Sequence, residues 1–397
     1  MPTPDVPDDA LRATQAAAAD RLAAARLSDR LRSRAPLSPD DVRAAEDLFA
    51  RYPTATRDLL EGVLLAAAAA DREGRRYGPE ATLLDRARAV APSSPRVLHA
   101  LLALRLETAE WAAAEGAARD LLSLAPTDAE AARGLGYALV RQDRSREAIE
   151  VLAAFVDAHP DPETRAFLNR VRHDQGAEAS LEEARLAHFH VRYDGEAHED
   201  VGREILRVLD RHYATLARTF DHQPAAPIPV VLLSSERYYD ATGAPAWSGG
   251  QYDSFDGRVR LPIGGLTAAL ASDLDDTLLH EPTHAFVADL SRGVAPREIH
   301  EGLAQFVEGK RSQTLLGDEG LRALADGRLQ GVGGFYVSAL ALVEDLVAQR
   351  GQGGINDLLR AMAETGSSDE AFRRVYGKGL EELRRDWSVR LRQRHGS

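Results

Sequence analysis

Three prolines stand at a fixed interval. Pro92, Pro126 and Pro160 are 34 residues apart in turn, and other positions repeat with them: Leu101 matches Leu135, Ala114 matches Ala148, and Ala118 matches Leu152. A chain that repeats at this period is committed to stacking small units, because one unit of that length cannot bury its own apolar face. The spacing predicts two antiparallel helices per unit. Ala114 and Ala148 let the paired helices approach closely, and the proline closes the second helix because it cannot continue the hydrogen-bond ladder. Units at about 95–128 and 129–162 follow the pattern, while 59–94 fits poorly and contains the loop REGRRYGPE. Upstream, Ser38-Pro39-Asp40-Asp41 is a helix-start signature of N-cap, proline at the first position and acid in the first turn. Residues 8–34 read as a further amphipathic helix.

Leu135-Gly136 opens the stretch LGYALVRQDRSREAIEVL, with a small residue about twelve on and a proline at the end. This pattern resembles the tetratricopeptide repeat. The resemblance implies an N-terminal all-α tetratricopeptide-type solenoid over 1–180. Two roles stay open for it: a groove that binds a protein partner, or a scaffold that supports the rest of the chain.

The 397 residues allow two or three domains, and the net charge is −13. An acidic chain whose arginines are interleaved with Asp and Glu argues against nucleic-acid binding. With no cysteine, disulfides, thiolate nucleophiles and cysteine-type zinc sites are excluded. The start, MPTPDVPDD, is acidic and proline-rich where a secretory signal would be basic and then apolar. The longest apolar run, Val63 to Ala70, is far short of the ~20 residues of a membrane span. The expectation is a soluble, cytoplasmic protein with no membrane span, or an exported or periplasmic one if a signal has been trimmed.

Near residue 187 the period changes. HFHVRY (188–193) alternates as a strand does, PIPVVLLS (227–234) reads as a buried strand, and two alternating runs flank Phe255-Asp256-Gly257 as a hairpin. A helix is expected over about 197–220. Further helices are expected over about 265–271, 273–291, 296–312, 318–326, 331–350, 353–364, 367–375 and 378–394. Strands followed by helices predict an α+β domain.

The chemistry concentrates in TLLHEPTHAFVADL, Thr277 to Leu290. His280 and His284 lie four apart, so one helix face can aim both imidazoles at one ion. Ser272 is the expected N-cap, with Asp273, Asp275 and Asp276 suited to the positive end. Gly293 is the expected left-handed stop. Zinc in a hydrolase takes three protein ligands and keeps a fourth position open. Pro296 can open the next helix, which brings Glu301, seventeen residues after His284, as the third ligand. Gly302 and Ala304 are expected to keep that helix thin near the metal. Glu281 then falls beside the zinc as general base for a water whose proton it passes to the leaving amine. The expected centre is one zinc per chain on His280, His284 and Glu301.

The combination LLHEPTHAFV…APREIHEGLAQFVEG is similar to the gluzincin metallopeptidases, with HExxH followed by a glutamate in a Glu-x-x-Ala context. Within them it resembles the bacterial peptidase-MA-like metallohydrolases, which often follow tetratricopeptide repeats. GGQYD…GRVRLPIGGL, FYVSALALVEDLV and AFRRVYGKGLEELRRDW extend the resemblance over about 187–393. It implies a thermolysin-like catalytic domain there and zinc-dependent hydrolysis of a peptide or protein substrate. By the same analogy Tyr336 supplies the oxyanion donor, the other reading being a packing tyrosine at a helix start. Tyr252 and Asp253 either rim the cleft or serve the hairpin.

The chain departs from that family at Pro282. A proline inside a helix costs ~3 kcal/mol, frees the carbonyl of Leu278, and biases Glu281 away from helical geometry. A modest rotation there would part the imidazoles. The chain would then be a catalytically impaired pseudo-peptidase, acting as an interaction module through its repeats. His300 is a second departure, open to three readings: a support behind the ligands, a spare ligand, or packing. His188 and His190 share a strand face, with no evident carboxylate partner.

Overall fold

The computed structural model describes residues 8–178, 180–193, 195–245, 248–263 and 274–395. Among them seventeen helices and five strands follow in order, an all-α N-terminal region before an α+β part. The chain divides into two compact units, Met1–Leu135 and Gly136–Ser397.

The first unit holds α1 (Asp8–Arg32), α2 (Pro39–Arg51), α3 (Pro53–Glu73), α4 (Tyr77–Val90), α5 (Pro95–Glu107), α6 (Trp111–Leu124) and the start of α7 (Ala129–Arg141). Ser38 caps α2 as its sequence requires. Its hydroxyl accepts from the Asp41 backbone N–H at 3.2 Å, and the Asp41 carboxylate accepts from the Ser38 N–H at 2.8 Å.

The 34-residue period is visible in the boundaries. α4, α6 and α8 (Ser145–Ala158) are each fourteen residues long and start at 77, 111 and 145. Each ends two residues before its proline. The intervening caps Ala91, Ala125 and His159 share φ near −133°, because a following proline bars the helical conformation from the residue before it. The turns between paired helices repeat as well, with left-handed Arg75, Ala109 and Asp143 34 apart. The loosely matching unit departs in its first helix only: α3 has twenty-one residues where α5 and α7 have thirteen.

The second unit adds α8, α9 (Pro162–Glu178), β1 (Glu182–Arg185), β2 (Phe189–Tyr193), α10 (Gly195–Phe220), β3 (Ile228–Leu233), α11 (Ser235–Thr242), β4 (Gln251–Asp253) and β5 (Arg258–Pro262). After these come α12 (Asp275–Ser291), α13 (Arg297–Val307), α14 (Ser312–Ala325), α15 (Gly331–Thr365), α16 (Ser368–Tyr376) and α17 (Leu380–His395). The sheet order is β1-β2-β3-β5-β4. β2, β3 and β5 run parallel, with Val191 beside Val230 and Val230 beside Val259. β1 and β4 are antiparallel edges.

The expected strands form, and β1 and α11 are additions that no periodicity announced. The reading of 265–271 as a helix, and of Ser272 and Asp273 as a helix start, lies outside the described residues. α13 stops at Val307, short of 312. α14 begins earlier than expected and breaks at Gly317, and α15 breaks at Gly351 with φ 67°, so 331–350 and 353–364 are two segments on either side of a bend. α15 is also long and apolar enough to cross a membrane, but Leu342, Val343, Leu346, Ile355, Leu358 and Met362 belong to the core.

Alternation gives the sheet two different faces. Phe189, Val191, Val230, Leu232, Val259 and Leu261 join the core with α10, α12, α13 and α15. The opposite face carries His190, Arg192, Arg258 and Arg260. There the Asp143 carboxylate takes Arg192 at 2.8 and 2.9 Å, Arg258 at 2.8 Å and His190 at 2.5 Å. Asp256 pairs with Arg260, and Glu178 lies 3.4 Å from each of the three arginines. Burial alone would raise Asp143, but hydrogen bonds and charges from Arg192 and Arg258 hold it below the usual range. Burial raises Glu178 and wins over the three arginines. This layer places the compact boundary at Leu135/Gly136, upstream of the 180–187 switch in period, because Asp143 and Glu178 are bonded to the strands.

Asp143→Ala leaves Arg192 and Arg258 buried without their shared counter-charge. It is expected to lose about 3–5 kcal/mol in denaturant unfolding, whereas Arg207→Ala, at an exposed pair, leaves the midpoint unchanged. The depressed Asp143 and Asp256 carboxyls contribute stability that is complete above the unfolded value of ~3.9 and lost as pH falls through their folded values. Acid unfolding of Asp143→Ala should therefore show a weaker pH dependence in that range.

Candidate metal centre

α12 runs unbroken from Asp275 to Ser291 with Pro282 buried inside it. The proline cannot donate to the Leu278 carbonyl, and Thr283 hydroxyl donates to the Leu279 carbonyl at 2.7 Å. The helix ends where Arg292 (φ 50°) and Gly293 (φ 75°) both turn left-handed, close to the expected stop at Gly293. Pro296 is extended and precedes α13 as its cap, so Arg297, rather than Pro296, is the first helical residue.

His280 and His284 lie on one face with ring centroids 4.9 Å apart. Glu301 Oε2 stands 3.5 Å from His280 Nε2 and 3.8 Å from His284 Nε2. One donor atom from each of the three lies within 4.8 Å of the others. Ligands tetrahedrally placed at ~2.1 Å around one ion would be ~3.4 Å apart, so the group could hold a metal ion. The three sit in a cleft of about 770 Å³ whose walls are 242–245 and 248–252 on one side and α13 with the start of α15 on the other.

Packing between α13 and α15 sets where Glu301 points. A Cβ at Gly302 would meet the Ala339 carbonyl oxygen at 2.3 Å and Val343 at 2.6 Å. The thinness expected at Gly302 is real, but it serves α15 and not the side of the three donors. Gln305 secures the same contact by donating to the carbonyls of Glu301 at 3.0 Å and Tyr336 at 2.8 Å. On the other wall, Gly250 makes room for Glu281: a Cβ there would come within 2.9 Å of Glu281 Cγ.

Charge is unequally shared. Burial disfavours charge on His280, yet hydrogen bonds with Glu301 and Glu308 lift it to about 10. Burial pushes His284 well below its ordinary value and His300 down to about 4. Burial raises the Glu281 carboxyl to about 7, with nearby Glu301 adding to the rise.

Glu308 is a residue that the local sequence pattern does not pick out. It hydrogen-bonds His280 Nδ1 and pairs with Lys310, so the other ring nitrogen of His280 is turned toward Glu301. Its spacing does carry a signal, since seven residues past Glu301 is about two helical turns on the same face. Tyr336 does reach the cleft. Burial and the charge of Glu301 raise its hydroxyl, against the lowering effect of the nearby Arg297.

The remaining residues divide. The Tyr252 ring is 6.1 Å from His284, whereas Asp253 serves the hairpin by accepting from the Phe255 N–H at 2.8 Å. His300 packs 5.5 Å from His284 and is outside the three-donor group. His188 stacks on Tyr213 at 3.8 Å, and His190 does have a carboxylate partner in Asp143. That partner is 47 residues away in sequence, which is why it was not evident.

In comparisons with known proteins, no family model and no curated protein matches this chain.

Glu308→Ala frees His280 Nδ1 from its carboxylate. Zinc affinity measured by chelator competition is expected to fall ~10–100-fold, with the helical circular dichroism unchanged. Unaltered affinity would show that Glu308 does not orient the imidazole.

Proposed function

We propose that the chain is a zinc-dependent metallopeptidase of the gluzincin type, hydrolysing peptide bonds in a peptide or protein substrate. The observation that carries this reading is the convergence of His280, His284 and Glu301 donor atoms within 4.8 Å. Two imidazoles and one carboxylate, with cleft space beside them, suit a hydrolytic zinc, and a carboxylate behind His280 suits it further. Zinc bound there supplies Lewis acidity and lowers the pKa of water toward ~7.

The rest falls to the chain's own residues. Glu281, buried next to His280 and facing Gly250, takes a proton from the attacking water and passes it to the leaving amine. Tyr336, on the cleft wall, donates to the oxygen that gains charge. β4 is the outer strand of the sheet and lines the cleft, so an extended peptide can hydrogen-bond along it. The pseudo-peptidase reading requires the imidazoles to part at Pro282. The continuous α12 and the 4.9 Å ring separation weigh against it.

Purified protein is expected to bind one zinc per chain. Glu281→Gln should keep the zinc and lose peptide cleavage by ~10²–10⁴-fold, while His284→Ala should lose the zinc. Metal analysis paired with chromatography of a digested peptide library measures both. Full cleavage by zinc-loaded Glu281→Gln would falsify the assignment of the base.

A further inference from the structure

We infer that Arg297 selects the substrate through a carboxylate on the residue next to the scissile bond, either a C-terminal carboxylate or an Asp or Glu side chain. This rests on the peptidase reading of the same cleft. Arg297 opens α13 one turn before Glu301, so the two share a helix face. Its Nε lies 3.8 Å from Glu301 Oε1, while the other oxygen of that carboxylate faces His280 and His284. The guanidinium thus stands on the far side of the Glu301 carboxylate from the point where the three donors converge.

Its surroundings orient it without neutralising it. The Phe335 ring lies 5.0 Å from the guanidinium carbon, and Tyr336 lines the same cleft. The side chain is 70% exposed, and Glu301 at 3.8 Å is its nearest carboxylate among the described residues. Glu301 commits its own charge to the donor group. The other cation lining the cleft, Lys310, is already paired with Glu308. Arg297 is therefore the cleft cation left for a ligand.

An arginine fork matches a carboxylate with two parallel hydrogen bonds. Along a peptide, the next residue's carboxyl carbon is ~3.5 Å from the reacting carbonyl carbon. A substrate carboxylate held by Arg297 would thus set the preceding carbonyl beside the three donors.

The test uses zinc-loaded full-length Glu281→Gln protein, which holds peptides without turning them over, with calorimetry as the readout. The probes are N-acetyl-Ala-Phe-Leu as free acid, the same peptide as its amide, and N-acetyl-Ala-Phe-Glu amide. The free acid should bind at least tenfold tighter than its amide. Adding Arg297→Gln should erase that difference and leave the amide's affinity unchanged, while Arg297→Lys keeps part of it. Tight binding of the Glu-containing amide assigns the site to side chains, and its weak binding assigns the site to the chain terminus.

Equal binding of all three peptides, or no binding of any, overturns the inference. Wild-type protein that prefers the acid yet cleaves no peptide would leave the carboxylate site standing and remove the peptidase reading.

Discussion

The Asp143 carboxylate holds two arginines and a histidine from two strands, and the order of the second unit follows from that. Arg192 and Arg258 point away from the apolar core on the pleat of β2 and β5. Without a counter-charge, that face of the sheet could not be covered. Asp143 is the left-handed residue of a helix-helix turn that recurs every 34 residues, where the equivalent positions are Arg75 and Ala109. Aspartate tolerates that conformation better than most side chains. The repeat's turn geometry thus supplies the anion that the sheet requires.

With one face closed by charge, the other is free to be wholly apolar, and α12 packs there with α10, α13 and α15. The cluster of His280, His284 and Glu301 sits at the edge of this packing, on helices. His280 and His284 come from one helix, Glu301 and Glu308 from the next, and Tyr336 from the start of a third. Gly302 decides the approach of the second helix to the third, and Gln305 ties both to one amide. Such backing holds the three donor atoms in place better than their own side chains could alone.

The helices were legible because their signals are local: caps such as Ser38, prolines at a fixed period, and the i,i+4 histidines. The strands were legible where alternation was strong. β1 was not, since Glu182-Glu183-Ala184-Arg185 has no apolar alternation and becomes a strand only by pairing with β2. Pro282 illustrates the opposite error. Local chemistry flags it as a helix breaker, but a buried helix with packing on several sides keeps its course across one missing hydrogen bond.

By itself the sequence determined the period of the repeats, the switch from helices to strands, and the helix face shared by His280 and His284, because each depends on residues a few positions apart. Only the tertiary structure decided that Glu301 meets those imidazoles, that Glu308 stands behind His280, and that Arg297 lines the same cleft. It also decided that Asp143, Glu178 and Asp256 share one buried layer with three arginines. These depend on helices and strands meeting across tens of residues, where close packing at positions such as Gly302 fixes distances that no local pattern encodes.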